Sequence, residues 1–527
     1  MSRKTVFLIL LLIVVFHLLN NFIILTIDDT PPVGHYGLYF SHSLYLFEQF
    51  KNLSPGFITE LFNVNSIYPP LLYLTPIPLY YIFSIDYDVA SFSVGLLYLS
   101  VFIFSLYFLA TYLFKPSVGI VAALIGSLFA AVFGYARLFL MAFPMVAILT
   151  LNIYLMFKTE VFKKRLYVVL FASVLALGML MKKFYFIYIS FFTLIYLIEN
   201  RKLISKERFK VFLNIFIAAG IVISISGYWY LRNIEPILFQ LKSDQPTIFY
   251  NEGYSFNFLI YLKYLIRYQL GWFLFSLFLI SFIYLVIKKR SALFLSAWVI
   301  WPYLISSLFI VEKSSRYTMA MLPAIAIIIA NGIMGFSDNL KLKRRPALRC
   351  SLMFLILAVP VFNFFKTSYG GGVEVFNYRD ETDRFFYTGL LRSKKIGWDI
   401  EDLEKTLIQD GKNKIMIDGF GYWYLLNDYL NNFIENNNLS ISFIHLEFDE
   451  RDKDYRKLIE EGDFIILRSD DGSSIPNISL PFENENLEKI RSLLVIFNEY
   501  KEKFELINRV TIEGRFTERT LLIYKRI

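Results

Sequence analysis

From residue 5 to residue 366 the chain is a succession of apolar stretches close to the length that crosses a bilayer. A membrane helix needs about 20 mostly apolar residues. Stretches of that kind lie at 5–25, 92–114, 117–135, 143–157, 166–181, 184–198, 211–231, 269–287, 293–311, 318–336 and 350–366. With 56% hydrophobic residues, 55 of them Phe, the composition departs from a soluble globular chain in the same direction. The run 68–84, YPPLLYLTPIPLYYIFS, is apolar too but carries Pro69, Pro70, Pro76 and Pro78. Proline removes backbone donors and breaks helical turns, and unsatisfied backbone is not tolerated facing lipid. This run is therefore expected to be interfacial or re-entrant, which leaves eleven spans. The N-terminal run has a basic start but no small-residue cleavage site, so it reads as a retained first span.

Charge sets the orientation. With eleven spans and the N-terminus inside, the inner connections hold 20 Lys and Arg. The outer connections before residue 367 hold 10, in more than twice the length. Basic inner loops are the rule for plasma-membrane proteins, and they explain the net charge of +9 without nucleic acid. Counting 68–84 as a crossing would scramble that bias. The expected protein is multi-pass in the inner (plasma) membrane, with its first outer loop at 26–91. The single cysteine, Cys350, excludes an internal disulfide and a cysteine-based metal cluster.

After residue 366 the composition turns polar, rich in charge and Asn. NKIMIDGF, SISFIHLEF and GDFIILRS read as strands. EDLEKTLIQ and NLEKIRSLLVIFNEYKEKF read as amphipathic helices. Residues 1–366 are thus expected to form a membrane domain and 367–527 an extracytoplasmic α/β domain. There is no Gly-rich phosphate loop and no metal-ligand spacing in the latter.

Five local patterns fall on the outer side. Asp28 and Asp29 follow the first span, with Pro31, Pro32, His35 and His42 after them. Tyr68-Pro69-Pro70 opens the proline-rich run, and Arg137 lies just beyond a span in GYARLFLMAFPMVAIL. Gly178 precedes Lys182 by four in LGMLMKKFYF. Finally, GYWYLRN places Arg232, and EKSSRYTMAMLP places Arg316 and Tyr317, at outer span ends. Each has a plain reading as a helix terminator, a turn or an interfacial anchor. Ionisable groups at membrane depth are nevertheless costly, and the guanidinium fork fits phosphate.

In this order the patterns resemble the GT-C membrane glycosyltransferases, most nearly the dolichyl-phosphate-mannose protein mannosyltransferase-like group (glycosyltransferase family 39) and the aminoarabinose transferases. The matching features are the acidic first outer loop, Pro69-Pro70-Leu71, Arg137 before FPMVAIL, Gly178 with Lys182, Trp229 to Asn233, and Arg316-Tyr317 with Pro323. The resemblance covers residues 1–336. It implies transfer of a sugar from a polyprenyl-phosphate donor to a protein, lipid or glycan acceptor on the outer face. Asp28, Asp29 or His35 would be the base. Tyr68, Arg137, Lys182, Arg232, Arg316 and Tyr317 would bind the substrate and hold the lipid phosphate. Three positions depart from the pattern. Gly34 and His35 stand where relatives carry the first-loop Asp, Ala142 where they carry a second Asp, and Gly227 where they carry a Pro.

No cofactor is called for, because fixed cations can do the work of a metal. The minor alternative is a divalent metal on Asp28 or Asp29 with His35 and His42, the histidines sharing a helical face at i, i+7. Two rival functions remain open. An inactive homologue binding a lipid-linked sugar fits the departures. A transporter would place its charges mid-span in pseudo-symmetric halves, whereas here the charges lie at outer ends and the halves look unlike.

Overall fold

The computed structural model describes residues 2–27, 35–52, 57–83, 85–239, 258–289, 291–309, 314–339 and 346–369. Beyond these it describes 414–418, 441–445, 456, 459–460, 462–468, 495–513 and 518–527. The chain separates into two compact units. One comprises Met1–Leu25 with His42–Ser393, the other Thr26–Ser41 with Lys394–Ile527.

Helices lie at all eleven places where spans are expected. Five are long and apolar enough to cross a membrane: Arg3–Thr26, Tyr87–Leu113, Arg208–Arg232, Leu259–Lys288 and Ser315–Asp338. In chain order the helices used below are α1 (Arg3–Ile27), α2 (His35–Lys51), α3 (Phe57–Asn63), α4 (Leu71–Leu74) and α5 (Ile77–Tyr80). Next come α6 (Tyr87–Leu113), α7 (Pro116–Ser127), α8 (Ala130–Tyr135), α9 (Ala142–Lys158), α10 (Arg165–Met181) and α11 (Tyr185–Glu199). The set ends with α12 (Arg208–Arg232), α13 (Leu259–Lys288), α14 (Ala292–Phe309), α15 (Ser315–Asp338) and α16 (Pro346–Tyr369).

The proline-rich run forms no continuous helix. Pro70 and Pro76 cap the one-turn helices α4 and α5, and Leu72, Tyr73, Ile77 and Tyr80 are buried. The stretch 117–135, expected as one span, is two helices. Leu128 leaves helical geometry and Phe129 is extended (φ −65°, ψ 132°), so the chain restarts at Ala130.

Helix α15 is the centre of its unit: 83% of its apolar window is buried, against 22% for α12. It packs on α7 and α13, while α6 packs on α7 and α9, and α10 on α9 and α12. In lipid, helix association relies on close packing of small residues. At Gly332 of α15 an added Cβ would lie 2.4 Å from Ser281 Cβ and 2.9 Å from its Cα on α13. Lys115 at the start of α7 pairs with Asp338 at the end of α15.

The second unit contains β1 (Lys414–Asp418), β2 (Ile441–His445), β3 (Phe464–Arg468), β4 (Phe504–Glu513) and β5 (Glu518–Arg526). They form a five-stranded mixed sheet in the order β2-β1-β3-β5-β4. β1 is parallel to β2 and β3, and β5 is antiparallel to β3 and β4. Its core is Ile459, Ile465, Leu467, Phe497, Phe504 and Tyr524. The first three strands fall where the sequence places them. β4 and β5 were not expected, and β4 takes the end of what reads as a long amphipathic helix. The expected helix EDLEKTLIQ lies outside the described residues.

The α13–α15 contact leaves no room for a side chain, and overpacking costs about 1–3 kcal/mol. Gly332→Val should therefore lower the unfolding temperature of the detergent-solubilised protein by several degrees. Gly220→Ala, where an added Cβ meets nothing within 4 Å, should leave it unchanged.

Candidate functional site

The site is built around the junction between α10 and α11. Helix α10 ends at Met181, with Lys182 extended (φ −151°, ψ 127°) and its N–H still bonded to Gly178 O (3.1 Å). The chain then folds back, Tyr185 N donating to Lys182 O (2.9 Å). This return lays the Tyr185 ring on Gly178: an added Cβ there would lie 2.3 Å from the ring. The Gly-x-x-x-Lys spacing thus has a local cause. The glycine admits the tyrosine that turns the chain, and the turn presents Lys182 at the helix end. From α12 the Tyr230 hydroxyl braces the same junction through a shared bond to Met179 O (3.1 Å) and Lys183 O (2.9 Å).

Lys182 Nζ lies over the Tyr317 ring, 5.4 Å from its centroid. The Arg316 guanidinium lies 5.0 Å from the same centroid, and its Nη2 donates to Tyr317 Oη (3.1 Å). One aromatic ring therefore carries two cations, with Arg316 only 8% exposed. Both contacts fall within the range of a cation–π attraction.

The segment bearing Arg316 and Tyr317, Ser315–Met321, is the 3-10 opening of α15. Three neighbours hold it. Gln269 Nε2 donates to Ser315 O (2.6 Å) and Thr318 Oγ1 (2.9 Å). The Tyr135 and Ser315 hydroxyls are bonded (3.1 Å), and Ser306 Oγ donates to Tyr317 O (3.1 Å). Gln269 reaches this turn because α13 widens into a π turn over Leu265–Leu270 and restarts at Gly271, whose φ of +78° lies in the region that favours glycine. The sequence signal for Gln269 is a polar residue two positions before a glycine at the start of an apolar run.

A second set adjoins the junction. Lys183, buried at 8% exposure, lies between two rings, its neighbour Phe184 at 5.3 Å and Tyr68 from the preceding loop at 5.4 Å. Tyr68 follows a turn fixed by Asn65, whose Oδ1 accepts from the backbone N–H groups of Ile67 (2.8 Å) and Tyr68 (2.7 Å). With its oxygen so engaged, Asn65 Nδ2 donates to His42 Nε2 (2.9 Å). The His42 proton is then on Nδ1, and its ring packs edge-on against Tyr73 (5.2 Å). Burial pushes the His42 pKa down to about 4, so the ring is neutral at ordinary pH.

Of the residues expected to bind substrate, the structure brings Lys182, Arg316 and Tyr317 together and joins Tyr68 to the junction through Lys183. Arg232 is exposed at the end of α12, donating to Tyr228 Oη (3.2 Å), and the Tyr228 ring packs on Phe62 of α3 (5.1 Å). Arg137 is buried at 3% exposure, with different partners. Its Nε donates to Asn21 Oδ1 of α1 (3.0 Å) and its Nη2 to Ser368 Oγ of α16 (2.9 Å). The Phe133 and Phe364 rings flank it. Asp28 and Asp29 lie outside the described residues; His35 opens α2, and its side chain lies outside them too. Among the described residues no group of three or more His, Cys, Asp or Glu comes together. Lys183, Asn65 and Gln269 escaped the sequence reading, and His42 entered it only as a metal candidate.

The fold defines a class. It is similar to that of ArnT from Cupriavidus metallidurans in the apo state (TM-score 0.58, 13% identity, covering 99% of this chain and 98% of that one). It is similar to the same protein bound to undecaprenyl phosphate (TM-score 0.61, 13% identity, 97% of each chain). It is also similar to the archaeal oligosaccharyltransferase AglB from Archaeoglobus fulgidus in complex with an inhibitory peptide and a dolichol-phosphate. There the TM-score is 0.52 at 10% identity, over 97% of this chain and 74% of that one. ArnT and AglB are GT-C glycosyltransferases. The chain is a multi-pass membrane protein with the GT-C fold; at these identities the likeness is one of fold. Protein-family models give no match to the sequence, and neither do curated proteins.

Arg137 ties the first described helix to the last of its unit. Removing the guanidinium leaves Asn21 and Ser368 buried without it, at about 1–3 kcal/mol for each group left unsatisfied. Arg137→Met should therefore lower the unfolding temperature by several degrees. Turnover per folded molecule should fall far less than the tenfold expected on losing a phosphate ligand.

Proposed function

We propose that the protein transfers a sugar from a polyprenyl-phosphate donor to an acceptor hydroxyl or amide on the outer face of the membrane. The observation that carries this reading is that Lys182, at the end of α10, and Arg316, at the start of α15, both lie against the Tyr317 ring. Two cations fixed on one ring form a site for a group with more than one anionic oxygen. The fold supports the reading, since ArnT is known bound to undecaprenyl phosphate and AglB to a dolichol-phosphate.

In this reading the eleven helices are spans and the N-terminus is inside. Residues 1–366 are the transfer domain, and 367–527 lie outside the cytoplasm. The donor phosphate is the leaving group. Lys182 and Arg316 hold it through charge-assisted hydrogen bonds and stabilise the charge that develops on it as the sugar leaves. Arg232 engages it from the end of α12, and Tyr317 and Tyr68 line the site. The acceptor proton goes to a carboxylate of the first outer loop, Asp29 or failing that Asp28, with His35 the remaining candidate base. The cations carry the electrostatic load, so the reading routes no step through a metal.

Each charge-assisted bond to phosphate contributes about 1.5–3 kcal/mol. Lys182→Ala, Arg232→Ala and Arg316→Ala should each reduce transfer roughly tenfold or more while the protein stays folded. Loss of a general base costs about 10²–10⁴-fold, so Asp29→Asn should fall in that range and His35→Ala should not. Full activity in all three cation variants would remove the clamp. Normal turnover in both Asp28→Asn and Asp29→Asn with a dead His35→Ala would move the base to the histidine.

A further inference from the structure

We infer that Lys183, Asn65 and His42 form a positioning relay that sets the Tyr68 segment of the first outer loop against the phosphate-holding junction. The inference rests on the proposed reaction for its functional consequence but not for its structural content. Lys182 and Lys183 are adjacent yet serve different neighbours. The extended backbone at Lys182 turns successive side chains to opposite sides. Lys182 goes to Tyr317, and Lys183 to Tyr68. The junction therefore holds the Arg316 turn with one lysine and the outer loop with the next.

The far side of the Lys183–Tyr68 contact is itself fixed. Asn65 captures two consecutive backbone donors, Ile67 and Tyr68, on one oxygen. This orients its amide so that the nitrogen must seek an acceptor, and His42 Nε2 of α2 supplies it. Only a neutral imidazole has that lone pair, and burial keeps His42 neutral down to about pH 4. The ring is braced by Tyr73, and the next residue of α2, Ser43, donates to Tyr73 O (2.7 Å). On the near side, Tyr230 holds the Lys183 carbonyl, so the lysine is anchored at its backbone and spent at its tip. A lysine at 8% exposure is expensive to bury for packing alone. Its contact with an aromatic face from a distant loop is a specific use of that charge.

The groups facing His42 from the elements packed on it are Asn65 and Tyr73, with the Tyr68 ring and the Lys183 ammonium beyond them. If His42 were protonated it would lose the Asn65 bond and add a second cation to a site already holding one. The relay therefore favours the neutral ring, and it is intact above pH 6.5. As the pH falls from 6.5 toward 4, the unfolded chain takes up a proton that the folded one refuses, and the relay's contribution to stability declines.

Hydrogen exchange of the full-length protein in detergent tests this directly at the amides of Ile67 and Tyr68. Lys183→Met, Asn65→Ala and His42→Leu should each speed exchange of the 65–74 segment at least about threefold. Lys183→Arg, which keeps the cation over the ring, should restore it, and Lys182→Ala should leave it alone. With a polyprenyl-phosphate sugar as donor, Lys183→Met and Asn65→Ala should raise KM about tenfold with kcat within twofold. Unchanged exchange in Lys183→Met, or equal loosening by Lys182→Ala, would overturn the relay. Absence of any transfer by the wild-type protein would sink the proposed function while the exchange result still decides the relay.

Discussion

Charge held at the ends of apolar helices is the constraint on which the rest of the site depends. Ammonium and guanidinium groups at membrane depth cost several kcal/mol unless something engages them. Here the C-terminal end of α10 delivers Lys182 and Lys183, and the start of α15 delivers Arg316. Aromatic faces receive all three: Tyr317 takes Lys182 and Arg316, and Tyr68 and Phe184 take Lys183. Aromatic faces attract cations without neutralising them, whereas a carboxylate in the same place would cancel the charge.

Much of the surrounding architecture serves to hold those few side chains still. Gly178 lets Tyr185 fold back and end α10 where it does, and Tyr230 locks the junction from α12. The π turn of α13 and the left-handed Gly271 turn Gln269 toward the Ser315 turn, where one amide fixes both a carbonyl and a hydroxyl. Tyr135 reaches the same turn from α8, which is set apart by the break at Leu128 and Phe129. Arg137, two residues on, is committed to joining α1 and α16. One short segment therefore braces the site at one residue and the helix bundle at another.

The apolar periodicity made the helices legible, because a stretch of twenty apolar residues has few alternatives in lipid. The Gly178–Lys182 and Arg316–Tyr317 patterns were legible because their causes are local: a helix end, a fold-back and a tight turn. What was not legible depends on distant partners. Ser368 lies 231 residues from Arg137, and nothing near either residue announces the bond. Lys183 carries no signal in the sequence that separates it from Lys182, since only the third dimension brings Tyr68 to it. Asn65 and His42 sat in a loop whose polar residues had an adequate reading as solvated. In the second unit, β1 to β3 are short apolar runs and were read correctly. β4, FELINRVTIE, alternates imperfectly because of an irregularity between Leu506 and Asn508, and it followed a helical pattern that hid its start.

The central claim is that the cations gathered on Tyr317 serve the phosphate of a lipid-linked sugar. The most direct measurement incubates the purified wild-type protein with a polyprenyl-phosphate-linked sugar labelled in the sugar, together with acceptor-containing envelope extract. Release of free polyprenyl phosphate is then followed alongside the label. The account predicts that free polyprenyl phosphate appears in step with label transferred to an acceptor, and that added polyprenyl phosphate inhibits both by competing with the donor. Donor left intact at protein concentrations equal to its own, with no binding of polyprenyl phosphate, would contradict it.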